Sequence, residues 1–339
     1  MKQSDADFSL AQLRTRLFLL NPGLVGEYLQ PTRFVRYNHI DWIAQQIANE
    51  VSKGGARIVL SVPPRHGKSW LVSKFTPVWY LTLNPDHNVI LTSYEAGFAA
   101  SWGRTVRNIM QENAVKLGVD ISNDSHAADR WNTTEGGGMV TAGVGGPITG
   151  KGGDLIIIDD PVKNWEDAMS HTMRQRAIDW WQSTLYTRAE PNASIIVLMT
   201  RWHENDLAGW LLSPENENFK DWKEIRLPAA AEFNDPMGRA MDEPLCPERY
   251  GKEALASIKT SVGSQKWAAL YQQRPSALEG NIIQRAWLKY YTSAPTHADE
   301  WIQSWDLTFT GKSTSDFVVG QCWCRVGSQK YLQIGRAHV

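Results

Sequence analysis

Residues Ser61-Val62-Pro63-Pro64-Arg65-His66-Gly67-Lys68-Ser69 follow an apolar run, Ile58-Val59-Leu60, and precede Trp70-Leu71-Val72. That is the setting of a turn between a strand and a helix. Gly67-Lys68-Ser69 concentrates the chemistry. A glycine lets backbone amides approach a phosphate, a lysine reaches the β and γ oxygens, and a hydroxyl can hold Mg²⁺. The helix that follows aims its first amides at the anion. The usual phosphate-loop pattern has a glycine five residues before Gly67, where this chain has Val62. A second stretch supplies what such a loop needs. Asp154-Leu155-Ile156-Ile157-Ile158-Asp159-Asp160-Pro161 reads as a buried strand ending in two carboxylates, so the two stretches form a Walker A and Walker B pair.

With Tyr271-Gln272-Gln273-Arg274-Pro275 and Ser304-Trp305-Asp306 added, the chain resembles the large terminase subunit of tailed bacteriophages, in order from about Arg36 to Gln333. The resemblance implies an ATPase that drives double-stranded DNA into a procapsid, joined to a metal-dependent endonuclease that cuts concatemeric DNA. It implies ATP and Mg²⁺ as cofactors, with Mg²⁺ or Mn²⁺ at the nuclease site. The implied partners are DNA, the portal protein, the small terminase subunit and further copies in a ring. The implied location is the cytoplasm of an infected bacterium.

Carried over residue by residue, the resemblance makes Pro64, Arg65, His66, Gly67, Lys68 and Ser69 the nucleotide-binding loop. Ser69 and Asp159 become Mg²⁺ ligands, and Asp160 the residue that polarises the attacking water. Many such ATPases carry Glu at that second position, which leaves Glu166 or Asp167 as the fallback. Thr200 and Arg201, closing the apolar run Ser194–Met199, match the family's coupling motif, with His203 as a further polar residue there. Arg104 is the candidate arginine finger, with Arg107 beside it. Tyr37 and Gln45 are candidates to line the base, and Lys151 to sense nucleotide or touch DNA. Asp306 would be a metal ligand on the first strand of a ribonuclease H-like domain, and Asp316 a hairpin residue or minor ligand. The remaining acids of a two-metal site do not appear before the chain ends, so the fragment is expected not to cut DNA.

Several elements must position these groups. Leu10, Leu13, Leu17 and Leu20 predict a helix stopped by Asn21-Pro22-Gly23. Asn38-His39-Ile40-Asp41 resembles a capping box, and Ile40, Ile43, Ile47 and Val51 then make one apolar stripe. Ser69–Leu83 reads as a helix strained by Pro77, Val89–Ser93 as a strand, and Glu95–Gly118 as a helix. The glycine-rich stretch from Gly136 to Gly153 lacks a following Lys-Ser helix and reads as hairpins and a loop. Ser170–Tyr186 is helical, and a short helix runs from Lys252 to Gln273.

Strands alternating with helices predict an α/β fold: a P-loop, ASCE-type, doubly wound and mostly parallel sheet. The start of a ribonuclease H-like nuclease domain follows it. The expected divisions are an N-terminal helical segment at 1–35, the ATPase domain at 36–228 and a linker with hinge helix at 229–294. The first nuclease hairpin follows at 295–333. Residues 334–339 back-translate to the start of a common sequencing adapter, so the native sequence is expected to stop near Gln333.

Composition sets bounds. At 339 residues the chain can hold two domains. Hydrophobic residues at 42% and charged residues at 21% describe a globular protein, and no apolar run nears the ~20 residues that cross a bilayer. Three cysteines, Cys246, Cys322 and Cys324, make neither a disulfide framework nor a metal spacing. The formal net charge of −1 gives no bulk support for nucleic-acid binding, which must come from local patches. The 16 tryptophans suit burial in the core and base stacking alike. Two rivals remain: a helicase-like ATPase, which would need a second half that the residues after Leu227 do not supply, and a nucleotide-dependent assembly adaptor. DNA-stimulated turnover separates the motor from the adaptor.

Overall fold

A computed structural model of the chain describes residues 17–148, 150, 152–275, 291–306 and 318–338. The chain divides into two compact units, Met1–Leu278 and Glu279–Val339. The leucines at 10 and 13, together with Lys151 and Asp316, lie outside the described residues.

The first unit is built on an eight-stranded sheet. Its strands in chain order are β1 (Arg57–Ser61), β2 (Asn88–Ser93), β3 (Ile121–His126), β4 (Arg130–Thr133), β5 (Gly138–Gly143), β6 (Gly153–Asp159), β7 (Ala189–Met199) and β8 (Lys223–Arg226). The spatial order is β3-β4-β5-β2-β6-β7-β1-β8. From β5 to β8 every neighbour is parallel, and β3 and β4 continue the β5 edge antiparallel. The glycine-rich stretch thus contributes a strand, β5, and runs on into β6. β7 lies between β1, which leads into the loop that carries Lys68, and the acid-bearing β6, the ASCE arrangement of a P-loop sheet.

Alternation along the strands splits the core into two layers. Ile58, Leu60, Leu91, Leu155, Ile157, Ile196 and Leu198 pack on one face. Val59, Ile90, Ile156, Ile158, Ile195 and Val197 pack on the other. Side chains of a strand point alternately up and down, so continuous apolar runs such as Ile156-Ile157-Ile158 are the mark of a sheet covered on both faces. The first face is covered by α1 (Pro22–Leu29), α2 (Asn38–Val51), α3 (Thr76–Leu83) and α4 (Ala96–Glu112). The second is covered by α5 (His171–Trp180), α6 (Leu207–Leu211) and the tryptophans Trp181 and Trp222.

Local details depart from the sequence reading in physically interpretable ways. Tyr37, in extended backbone, is the N-cap of α2, and no side chain caps the helix; the Asn38–Asp41 box does not form because Asn38 is already the first residue of the helix, and Asp41 pairs with Arg36 at 2.9 Å. The helix after the loop is not uniform. A π-helical turn, Trp70–Phe75, runs into α3, and Pro77 sits in the first turn of α3, at the junction of the two. α4 stops at Glu112, with a separate turn at Ala114–Leu117. The helix α7 (Lys252–Lys266) is broken by Gly263, which at φ +79° and ψ 163° is far from helical, and it continues as a π-helical turn, Trp267–Tyr271.

The second unit contains a three-stranded antiparallel sheet in the order β11-β10-β9, formed by β9 (Glu300–Asp306), β10 (Val318–Val326) and β11 (Gln329–His338). Among the described residues no helix is long and apolar enough to cross a membrane.

Candidate functional site

Register brings the chemistry to one edge. Ser93 of β2 lies opposite Asp159 of β6, Asp159 lies opposite Leu198 of β7, and Ser61 of β1 lies opposite Met199. The segments leaving β1, β6 and β7 at their carboxyl ends therefore converge, at the edge where open α/β sheets place their ligands.

The loop after β1 is shaped by its backbone. Arg65 and Gly67 have φ of +63° and +82°. The left-handed region costs an L-residue about 1–2 kcal/mol, and a Cβ at position 67 would sit 3.2 Å from Ile40 Cδ1, so Gly67 answers both demands. His66 is tucked under the loop. Its Nδ1–H donates to Pro64 O at 2.8 Å, and the buried His39 donates from Nε2 to His66 O at 2.8 Å. Burial, only partly opposed by the bond to Pro64, pushes the His66 pKa down to about 4. Burial likewise lowers that of His39. Both rings thus act as neutral struts.

Lys68 is buried, and its Nζ donates to Asp160 Oδ1 at 2.9 Å and to Thr200 Oγ1. Asp160 is bent out of the strand at φ +46°, and its Oδ1 also accepts the Thr200 N–H at 2.8 Å. One cluster therefore joins residues 68, 160 and 200. Asp159 is fully buried beside it, with Oδ1 accepting from Ser69 Oγ at 3.1 Å and Oδ2 from Ser73 Oγ at 2.7 Å. Burial, and next the charge of Asp160, raise the Asp159 carboxyl to about 7 despite both serines and Lys68.

Does this donor set fit Mg²⁺? Magnesium is hard, takes oxygen ligands and is usually held by one or two protein groups together with phosphates. Ser69 and Asp159 offer hydroxyl and carboxylate oxygens already side by side, in a pocket whose carboxylate gains from a neighbouring cation. They fit. Among the described residues no cluster of three or more His, Cys, Asp or Glu could hold a metal without such help.

The other expected residues make different contacts. Arg201 is buried, and its guanidinium is spent on the fully buried Asp206, at 3.0 Å from Oδ1 and 3.1 Å from Oδ2, and on Glu204 O at 3.2 Å. Asp206 also accepts the N–H groups of Trp202, His203 and Gly209, capping α6. Arg104 is exposed on α4. Glu166 is exposed, and Asp167 lies in a short turn capped by Asn164. Tyr37 lines a cleft of about 170 Å³ with Phe34, Ile40, Gly67, Trp70 and Arg249. Gln45 instead bonds to Asn49 at 2.9 Å and to Asn21. Asp306 closes β9 opposite Val319.

The sequence reading missed Ser73, Asp206 and the role of Gln273. Ser73 had a usable signal, since it lies four residues beyond Ser69 on the same helical face. Asp206 had one too, three residues ahead of Gly209 at the start of a helix.

The profile of the terminase large subunit, T4likevirus-type, N-terminal, matches residues 59–290, more than half of the chain. The chain belongs to the terminase large subunit family. Among solved structures, this terminase chain is similar to the HK97 bacteriophage large terminase, at 13% identity and TM-score 0.47 over 90% of this chain and 62% of that one. It is also similar to the ATPase domain of the Thermus phage P74-26 large terminase. There the figures are 14% identity and TM-score 0.46, over 72% of this chain and 95% of that one. The large terminase of a thermophilic bacteriophage, in complex with ADP, gives 11% identity and TM-score 0.41 over 89% of this chain and 67% of that one. No curated protein sequence matches.

Proposed function

We propose that this chain hydrolyses Mg·ATP to move double-stranded DNA into a procapsid, as the motor part of a terminase large subunit. The observation that carries the reading is the junction of Lys68 with Asp160 and Thr200, beside an Asp159 bracketed by Ser69 and Ser73. A phosphoryl transfer needs positioning and charge neutralisation rather than covalent help. Lys68 supplies the cation for the β and γ oxygens, and the amides of the loop and of the turn after it supply donors. Bound Mg²⁺ would neutralise developing phosphate charge from Ser69 and Asp159. Asp160, with its Oδ1 fixed by Lys68 and Thr200, holds its other oxygen for the attacking water. Thr200, linked to both Lys68 and Asp160, is placed to respond when the γ-phosphate is lost. The cleft by Tyr37 and Trp70 takes the base. Arg104, exposed on its helix, serves as arginine finger toward a neighbouring copy in a ring docked on the portal, with the small subunit as a further partner. The second unit belongs to a ribonuclease H-like nuclease, with Asp306 as a ligand for Mg²⁺ or Mn²⁺. The work is done in the host cytoplasm.

ATPase rate on the purified chain, with and without double-stranded DNA, tests this together with Lys68→Ala. We expect turnover to fall by at least about 100-fold in the variant, the order of loss for a group that stabilises transferred charge. We also expect DNA to raise the wild-type rate. Turnover that survives Lys68→Ala would sink the assignment of the loop, and turnover indifferent to DNA would favour an assembly adaptor.

A further inference from the structure

The pentapeptide Tyr271-Gln272-Gln273-Arg274-Pro275 is not part of the nucleotide site, yet it is fastened to that site's framework. Gln273 is almost wholly buried, at 1% exposure, with backbone in the left-handed region at φ +56°. A non-glycine residue is held there only when its surroundings fix it. Its side chain does the fixing. Gln273 Oε1 accepts the backbone N–H of Arg201 at 3.0 Å, and its Nε2 donates to Leu270 O. Gln272 and Arg274 hold the flanks. Gln272 exchanges two bonds with the backbone of Ala230, at 3.1 and 3.0 Å, and Arg274 pairs with Glu232 at 2.8 Å.

Arg201 is the residue next to Thr200, and its own side chain cannot move freely because Asp206 grips it. The amide of residue 201 is therefore held from two directions, by the ion pair through its side chain and by Gln273 through its N–H. Thr200, one peptide away, donates its N–H to Asp160 Oδ1 and accepts from Lys68. A shift of residues 200 and 201 together moves the acceptor of Lys68 and the donor to Asp160 at one end, and the donor to Gln273 at the other.

We propose that Gln273 is a positioning residue for the hydrolytic step: through the Arg201 amide it sets the Thr200–Lys68–Asp160 geometry, and by the same bond it ties the turn at 267–274 to the state of the nucleotide. This deepens the ATPase reading and rests on it. The glutamine touches no reacting atom, so its effect falls on kcat rather than on nucleotide affinity, because small misplacements of catalytic groups are expensive in rate.

Two measurements on the full chain test it. In steady-state ATPase assays, Gln273→Met keeps the shape and removes the acceptor, and it lowers kcat about tenfold or more with KM for ATP within about twofold. A Gln273→Met variant with wild-type kcat would overturn the proposal. The second measurement does not depend on a variant folding. Hydrogen exchange of the wild-type chain with ATPγS and Mg²⁺ should change at 65–69, at 199–201 and at 267–274 together. A change at 65–69 without one at 267–274 removes the inference and leaves the nucleotide site standing. No change even at 65–69 removes the nucleotide reading itself, and this inference with it.

Discussion

At the scale of single residues, the site opposes two abnormal titrations. Asp159 holds its proton up to about 7 in the folded protein, against 3.8 ordinarily. The folded chain therefore binds more protons than the unfolded one across that window, and Asp159 makes stability fall as pH rises through it. His66 does the reverse. Its folded pKa of about 4 lies below the ordinary 6.5, so the unfolded chain binds the extra proton and stability is lost as pH falls from 6.5 toward 4. Between about 4 and 6.5 the two slopes cancel in part. Urea midpoints taken across that range should be flatter for the wild type than for either single variant. Asp159→Asn should gain stability with rising pH, and His66→Asn, which can still donate to Pro64 O, should lose it. Parallel curves for all three proteins would show that neither group titrates as its burial requires.

Residue types predicted this cluster only where the partners are declared by local motifs. Lys68, Ser69, Asp159 and Asp160 are legible because loop and strand end each carry a recognisable pattern, and the sheet register then has no choice but to bring them together. Ser73 and Gln273 are not, because serine and glutamine are common on helices and their meaning comes from partners 86 and 72 positions away. Arg201 was legible as a residue at the right strand end. That its charge would be consumed by a buried aspartate is visible only in the packing.

At the scale of elements, that buried pair decides how β7 ends. Asp206 accepts three backbone N–H groups and the Arg201 guanidinium while fully buried. Removing one partner of a buried ion pair leaves the other uncompensated, at a cost of about 3–5 kcal/mol. Asp206→Ala should therefore lower unfolding free energy by about that amount, read from urea denaturation, and should free the start of α6 to exchange faster. Arg201→Ala removes the same pair, so any loss of activity in it must be compared at equal fraction folded before it is ascribed to coupling. A loss below about 1 kcal/mol in Asp206→Ala would mean water reaches the pair and the end of β7 is softer than its burial indicates.

At the scale of the whole molecule, the alternation of strand and helix foretold the doubly wound sheet, since Ile156-Ile157-Ile158 and Ile195–Met199 are apolar and buried on both faces. The antiparallel pair β3–β4 at the edge was not foretold. Ile121–His126 is polar apart from its first residue, as an edge strand facing water can be, so it carries no periodic signal. The same accounting bears on where the first unit ends. Among the described residues, the three hydrophobic clusters run from Phe18 to Tyr271. The smallest, around Ala229, Leu255 and Trp267, sits in the stretch that the sequence reads as a linker. The Gln272 bonds to Ala230 fold that stretch on itself, and the Gln273 bond to the Arg201 N–H closes it onto the end of β7. A chain ended at Leu278 keeps all of these, whereas a chain ended at Pro228 keeps the sheet and loses the clamp on Arg201. The first should bind a fluorescent ATP analogue and melt as the full chain does. The second should melt lower, and it should leave the Arg201 amide unprotected in hydrogen exchange. Equal behaviour of the two would mean residues 229–278 ride on the sheet without supporting it, and the site's geometry would then be set by the strand ends alone.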